Sequence, residues 1–93
     1  MQSGDGYILI ASTTYKKILT RLKSRDLGMV RAIDRGVEKI LTNPMLGKPL
    51  RHGLRNFRRV HIAGSFVLLF EVSGNEVRLI DFDHHDRIYK KYS

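Results

Sequence analysis

His61 and one of the adjacent pair His84 and His85, with the neighbouring Arg58 and Arg59, are the side chains best suited to work on a phosphodiester. Breaking a phosphodiester without a metal needs a base for the proton of an attacking hydroxyl, an acid for the leaving oxygen, and cations facing the charge that develops on the phosphate. Imidazole serves either proton role, because its unperturbed pKa of about 6.5 lies near working pH. Guanidinium engages phosphate oxygens two at a time. In an extended segment Arg59 and His61 share a face, and Arg58 projects to the other. If His84 and His85 are both extended, their rings diverge and only one enters the cleft. Tyr89 offers a ring to stack on a base and a hydroxyl that can give up a proton. Plainer roles compete with these: a surface or hydrogen-bonded histidine, a solvated arginine, a tyrosine that anchors the tail.

Asp81, Asp83 and Asp86 beside the histidine pair raise a metal site as a rival. Adjacent histidines are poor ligand spacing on a strand, and the surrounding positive charge disfavours a cation. No metal and no cofactor is therefore expected, and the carboxylates are read as orienting His or Arg side chains. The absence of cysteine excludes disulfides, thiolate nucleophiles and sulfur-ligated zinc. Neither a glycine-rich phosphate loop nor a Ser-His-Asp hydrolase pattern occurs.

Charge narrows the partner. Lys and Arg number 17 against 9 Asp and Glu, a net +8. No acidic residue lies between Glu38 and Glu71, an interval that holds Lys39, Lys48, Arg51, Arg55, Arg58 and Arg59 with His52 and His61. Solubilising charge normally mixes both signs; a one-sided run this long points to a polyanion, whose counterions are released on binding. Lys48, Arg51 and Arg55 read as contacts to backbone phosphates, which position a nucleic acid without reading it. Arg58, Lys90 and Lys91 are further candidates for the same field. The length, 93 residues with 42% apolar, suits one domain over 1–93, with residues 1–6 as a lead-in. The longest apolar run, residues 66–70, is far too short to span a bilayer, and the start lacks a secretion signal. A cytoplasmic protein with no membrane partner is expected.

The elements that must position these groups follow from periodicity. Residues 7–11 read as a short strand, and Ser12, Thr13 or Thr14 can cap the helix after it. Tyr15, Ile18, Leu19 and Leu22 keep helical spacing; Asp26 caps a second helix whose stripe is Val30, Ile33, Val37, Ile40 and Leu41. Pro44 ends it, making an αα-hairpin. Residues 45–56, with Gly47, Pro49 and Gly53, read as a loop. Strands are expected over 57–62, 66–72 and 76–83, joined by turns at 63–65 and 73–75. The order is strand, two helices, then a three-stranded antiparallel meander: an α+β two-layer domain with helices on one face of the sheet. The other face is expected to stay open and polar around Arg59, His61 and the histidine pair.

Four stretches, in this order and spacing, resemble the RelE superfamily of toxins over nearly the whole chain. They are Leu41-Thr42-Asn43-Pro44 followed by Gly47-Lys48-Pro49-Leu50; Leu54 to Val60, similar to an L-x-x-(Y/F)-R pattern; the apolar strand from Phe66 to Val72; and Ile80 to Tyr89, similar to a closing D-x-x-H-R-x-x-(V/I)-Y. The resemblance implies a toxin that cuts messenger RNA, often in the ribosome, by turning the 2′-hydroxyl on its own phosphate. It also implies a cognate acidic, RelB-like antitoxin that occludes the basic cleft. By position in the closing motif, His85 joins His61, Arg59 and Tyr89 as a candidate for the chemistry. Two departures stand out: Val67 and His85 occupy positions where the family usually carries arginine. They open two alternatives, a ParE-like toxin acting on DNA gyrase, or a relative with weakened catalysis that binds RNA or antitoxin.

Overall fold

Local signals start each helix. The computed structural model describes residues 6–49 and 56–92. Strand β1 (Ile8–Ala11) leads into α1 (Thr13–Arg25), where the Ser12 hydroxyl accepts the Tyr15 amide N–H at 3.0 Å. The same hydroxyl donates to the Ile80 carbonyl at 2.6 Å, fastening the helix start to the sheet. Asp26 caps α2 (Leu27–Thr42) by accepting the Met29 N–H at 3.0 Å. A 3-10 turn (Pro44–Leu46) follows, opened by Asn43, then β2 (Lys48–Pro49), β3 (Phe57–Ile62), β4 (Phe66–Ser73), β5 (Glu76–His84) and α3 (His85–Tyr92). The sheet order is β1-β5-β4-β3-β2, with β1 parallel to β5 and the other pairs antiparallel.

The helix hairpin covers one face of this sheet, as expected. Tyr15, Ile33 and Ile40 pack there on Ile62, Leu68, Phe70, Val77, Leu79 and Phe82. The stripe of α2 is rotated slightly from the sequence reading: Met29 and Ala32 join this core with Val37 and Leu41. Gly36 is buried against β3, where an added Cβ would meet the Ile62 side chain at 2.5 Å. The missing side chain is thus what lets α2 approach the sheet.

Three features differ from the expectation. The segment after α2 is not all loop, because β2 adds a fifth strand by pairing Lys48 with Arg59 and Pro49 with Arg58. Gly47 makes that possible: an added Cβ would lie 2.6 Å from Cζ of buried Phe70. Second, β5 carries a bulge. Leu69 pairs with Asp81 and Phe70 with Leu79, so Ile80 is extra and the alternation reverses there. Val77 and Leu79 face the helix hairpin before it; Phe82 does so after it, which turns Asp81 and Asp83 to the opposite face. Third, His85–Tyr92, where the sequence reading expected no element, form α3 and lie on that opposite face. Ile88 is fully buried there on Val67 and Leu69. The sheet's second side is therefore open only where α3 does not cover it, because its middle is apolar and needs a lid.

Residues 1–5 of the expected lead-in, and Arg51 and Arg55 among the expected phosphate contacts, lie outside the described residues. Among the described residues, no helix is long and apolar enough to cross a membrane.

Candidate functional site

The flanks of α3 build the site. With 3.6 residues per turn, positions four apart fall on one side of a helix. Ile88 and Tyr92 form the underside. Arg87 and Lys91 form one flank, over β5. His85 and Tyr89 form the other, turned towards β3.

The β5 flank is a clamp. Asp81 is 1% exposed, and its carboxylate accepts from Tyr92 Oη at 2.8 Å, Lys91 Nζ at 3.1 Å and the Phe82 N–H at 2.7 Å. Asp83 takes Lys91 at 3.3 Å and Arg87 at 3.3 Å. Burial opposes ionisation of Asp83, but the His84 N–H, Lys91 and Arg87 outweigh it and hold the carboxyl below its ordinary value. Burial likewise opposes charge on Lys91, and Asp81 and Asp83 overcome it, raising the ammonium above its ordinary range. Burial and the bond to Asp81 push the Tyr92 phenol up to about 12. Burial, with Asp34 nearby, does the same to Tyr15 in the helix-side core.

These shifts set a pH window. The stability due to Asp83 is complete above its ordinary 3.8 and is lost as pH falls through the lower folded value. The contributions of Lys91 and Tyr92 are complete below their ordinary 10.5 and 10.0, and are lost as pH rises through the higher folded values, about 12 for Tyr92. Denaturant midpoints should therefore fall above pH 10, and Tyr92→Phe should make that fall shallower. An alkaline arm indifferent to the substitution would rule out the Tyr92 clamp.

The β3 flank holds the groups with chemical potential. Arg59 donates from Nη1 to the Pro49 carbonyl at 3.0 Å, and its guanidinium carbon lies 5.6 Å from the centroid of the Tyr89 ring. This cation–π contact and the carbonyl fix the arginine's plane. Its Nε is buried and, among the described residues, finds no acceptor. The His85 ring lies 6.1 Å from the Tyr89 ring, and its backbone N–H donates to the Ser65 carbonyl at 3.0 Å, tying α3 to the β3–β4 turn. That turn places Ala63 at φ 52° and Gly64 at φ 83°, as the tight hairpin geometry requires. A guanidinium, a phenol and an imidazole thus stand in a row beside α3.

The other sequence candidates sit elsewhere. His61 shares the Arg59 face of β3 and is exposed, but makes no ring contact with the row among the described residues. It also borders a cleft of about 290 Å³ between α2 and β3, lined by Lys39 of the basic interval and by Arg35, which the sequence reading left out. Arg58 turns to the helix side and donates to the Gly47 carbonyl at 2.6 Å. Lys48 and Lys90 are exposed, and Lys91 is held in the clamp. Val67, at a usual arginine position, is fully buried beneath α3. His84 and His85 do not diverge: the chain turns from β5 into α3 between them, and their rings stack at 4.4 Å.

The helix α3 had a legible signal that went unread. Asp86 lies in its first turn, Lys90 and Lys91 in its last, with Ile88 and Tyr92 at helical spacing.

Comparison with known proteins agrees with this architecture. Residues 9–89 match the family described as the ParE toxin of the type II toxin–antitoxin system parDE. A protein of Methanocaldococcus jannaschii named putative toxin RelE4 is 52% identical over 77 residues, covering 81% of this chain and 82% of that protein. Among solved structures, a YoeB/ParE toxin from Agrobacterium tumefaciens superposes with TM-score 0.74 at 17% identity, covering 84% of this chain and 98% of that one. The toxin–antitoxin complex RelBE2 of Mycobacterium tuberculosis gives TM-score 0.65 at 26% identity, with 85% and 98% covered. A meander behind a helix hairpin, a matched span that reaches Tyr89, and these relatives together place the chain in the RelE/ParE superfamily, the toxins of type II toxin–antitoxin systems.

Proposed function

We propose that this toxin is an endoribonuclease that cuts messenger RNA, in the cytoplasm and on the ribosome, and so stops translation. The observation that carries the reading is the row Arg59, Tyr89 and His85, a fixed cation and an imidazole on either side of one aromatic ring. The RNA 2′-oxygen attacks the adjacent phosphorus, a 2′,3′-cyclic phosphate forms, and the 5′-oxygen leaves with a proton. Arg59 meets the charge that grows on the phosphate oxygens. His85 exchanges a proton with one of the two sugar oxygens, His61 serves the other end, and Tyr89 stacks on a base beside the scissile bond or donates a proton. None of these steps calls on a metal. Lys48, Arg51, Arg55 and Lys90 hold the RNA backbone. A cognate acidic antitoxin complements the same charge and shuts the site; the RelBE2 relative is itself described as a toxin–antitoxin complex.

A second reading has specific support. Val67 is buried and apolar where the superfamily usually carries arginine, and the matched family bears the ParE description. A ParE-like toxin acting on gyrase has no need of an RNA clamp. Mapping message ends on ribosomes after induction separates the two. New ends within codons, with DNA intact, are the expected result. Gyrase-dependent DNA breaks with messages intact would replace the nuclease reading with the gyrase one.

A further inference from the structure

At the junction of β5 and α3, one ring nitrogen from each of His84 and His85 and a carboxylate oxygen of Asp86 all lie within 4.8 Å of one another. Consecutive histidines on a strand would point to opposite faces. Here the change from strand to helix stacks the two rings, with planes 29° apart. Asp86 Oδ1 is 3.0 Å from His85 Nδ1, and Oδ2 is 3.8 Å from His84 Nδ1. Tetrahedral zinc with ligands at about 2.1 Å sets them about 3.4 Å apart, so the three ligand atoms, within 4.8 Å of one another, close on an ion by side-chain rotation.

The surroundings suit an ion that arrives from solvent. The three side chains are 37%, 39% and 68% exposed, so the approach is open. His84 is steadied on its other side by the Phe66 ring at 5.8 Å, which stacks in turn on Phe82. The Asp86 N–H donates to His84 Nδ1 at 3.3 Å, a long bond that a small rotation exchanges for a metal contact. The other carboxylates nearby are spoken for: Asp81 and Asp83 are held by Lys91, Tyr92 and Arg87. The N-terminus of α3 opposes a cation, and the Asp86 carboxylate in its first turn offsets it.

We propose that His84, His85 and Asp86 bind one borderline transition-metal ion of the Zn²⁺ type, and that its binding switches the nuclease off. Two imidazoles and one carboxylate select Zn²⁺, Ni²⁺ or Cu²⁺ over Mg²⁺ or Ca²⁺. Three protein ligands leave a position for water. The regulatory half rests on the ribonuclease reading: a metal on His85 occupies the nitrogen lone pair and pulls the ring towards Asp86, away from the proton transfer assigned to it.

The test uses the full untagged chain with Zn²⁺ alone, titrated calorimetrically and by competition with a chromogenic chelator. Wild type, His84→Ala and Asp86→Asn are compared, with circular dichroism to verify folding. The expected result is one Zn²⁺ per chain, bound at least about tenfold more weakly by each variant, since even outer partners of a metal site cost 10- to 100-fold. In chelator, His84→Ala should cut RNA as wild type does; added Zn²⁺ should inhibit wild type and spare the variant. Equal Zn²⁺ affinity in wild type and both folded variants would overturn the site. Tight binding without loss of cleavage would overturn the switch and leave the site. If wild type cuts no RNA, the ribonuclease reading fails, and the calorimetric arm still decides whether the metal site exists.

Discussion

Arg59→Ala is expected to slow cleavage of ribosome-bound message by about 10²- to 10³-fold, the usual cost of removing one preorganised donor from a developing oxyanion. The argument rests on how this arginine is held. Its Nη1 is committed to the Pro49 carbonyl and its face to Tyr89, so the guanidinium keeps its plane without RNA present. Nη2 makes no hydrogen bond among the described residues and is the donor left for phosphate. Such preorganisation contributes to the transition state because nothing must rearrange as charge appears. Arg59→Lys should recover only part of the loss: it restores charge but neither the planar fork nor the stacking surface. Stability should change little, about 1 kcal/mol for the exposed bond to Pro49, and antitoxin binding verifies that the variant is folded. Full cleavage by Arg59→Ala would remove the row from consideration as the site.

Ile88→Ala should cost about 2–5 kcal/mol, the range for truncating a buried aliphatic side chain. Ile88 is fully buried between α3 and the two fully buried β4 residues Val67 and Leu69, and this second core has no other fully buried member among the described residues. Partly buried Phe57, Ile80, Tyr89 and Tyr92 border this core and can relax into part of the cavity, so the middle of the range is expected. For a small domain with a total stability of about 5–15 kcal/mol, that is a large share. The substitution should also lower cleavage, although Ile88 faces the sheet and not the groove, because α3 carries both His85 and Tyr89 and a loosened helix blurs their distance to Arg59. The contrast with Arg59→Ala is diagnostic: one variant loses chemistry with its stability kept, the other loses both. Ile88→Val, at about 0.5–1.5 kcal/mol, should keep most activity. A fall of under about 1 kcal/mol in Ile88→Ala, read from denaturant unfolding, would show that α3 is not held by this contact.

Local features of the chain determined a good deal. Asp26 and the hydroxyl run Ser12-Thr13-Thr14 announced the two long helices because a capping hydroxyl or carboxylate acts on amides three residues away. The apolar run from Phe66 to Val72 announced a central strand because both its faces are covered. The sharing of one face by Arg59 and His61 followed from alternation alone. Tertiary structure decided the rest. The Ile80 bulge reverses which side chains of β5 face the helices, and it reflects pairing with β4, a partner that no local window contains. The same reversal turns Asp81 and Asp83 beneath α3, where they hold Lys91 and Tyr92 and fasten that helix to the sheet. Whether His84 and His85 diverge or stack depends on where β5 ends, which is set by the hydrogen bond from the His85 N–H to Ser65 across the sheet. Residue types carry chemical potential on their own; bringing Arg59, Tyr89 and His85 into one row required contacts between segments about thirty residues apart, and these form only when the second core closes.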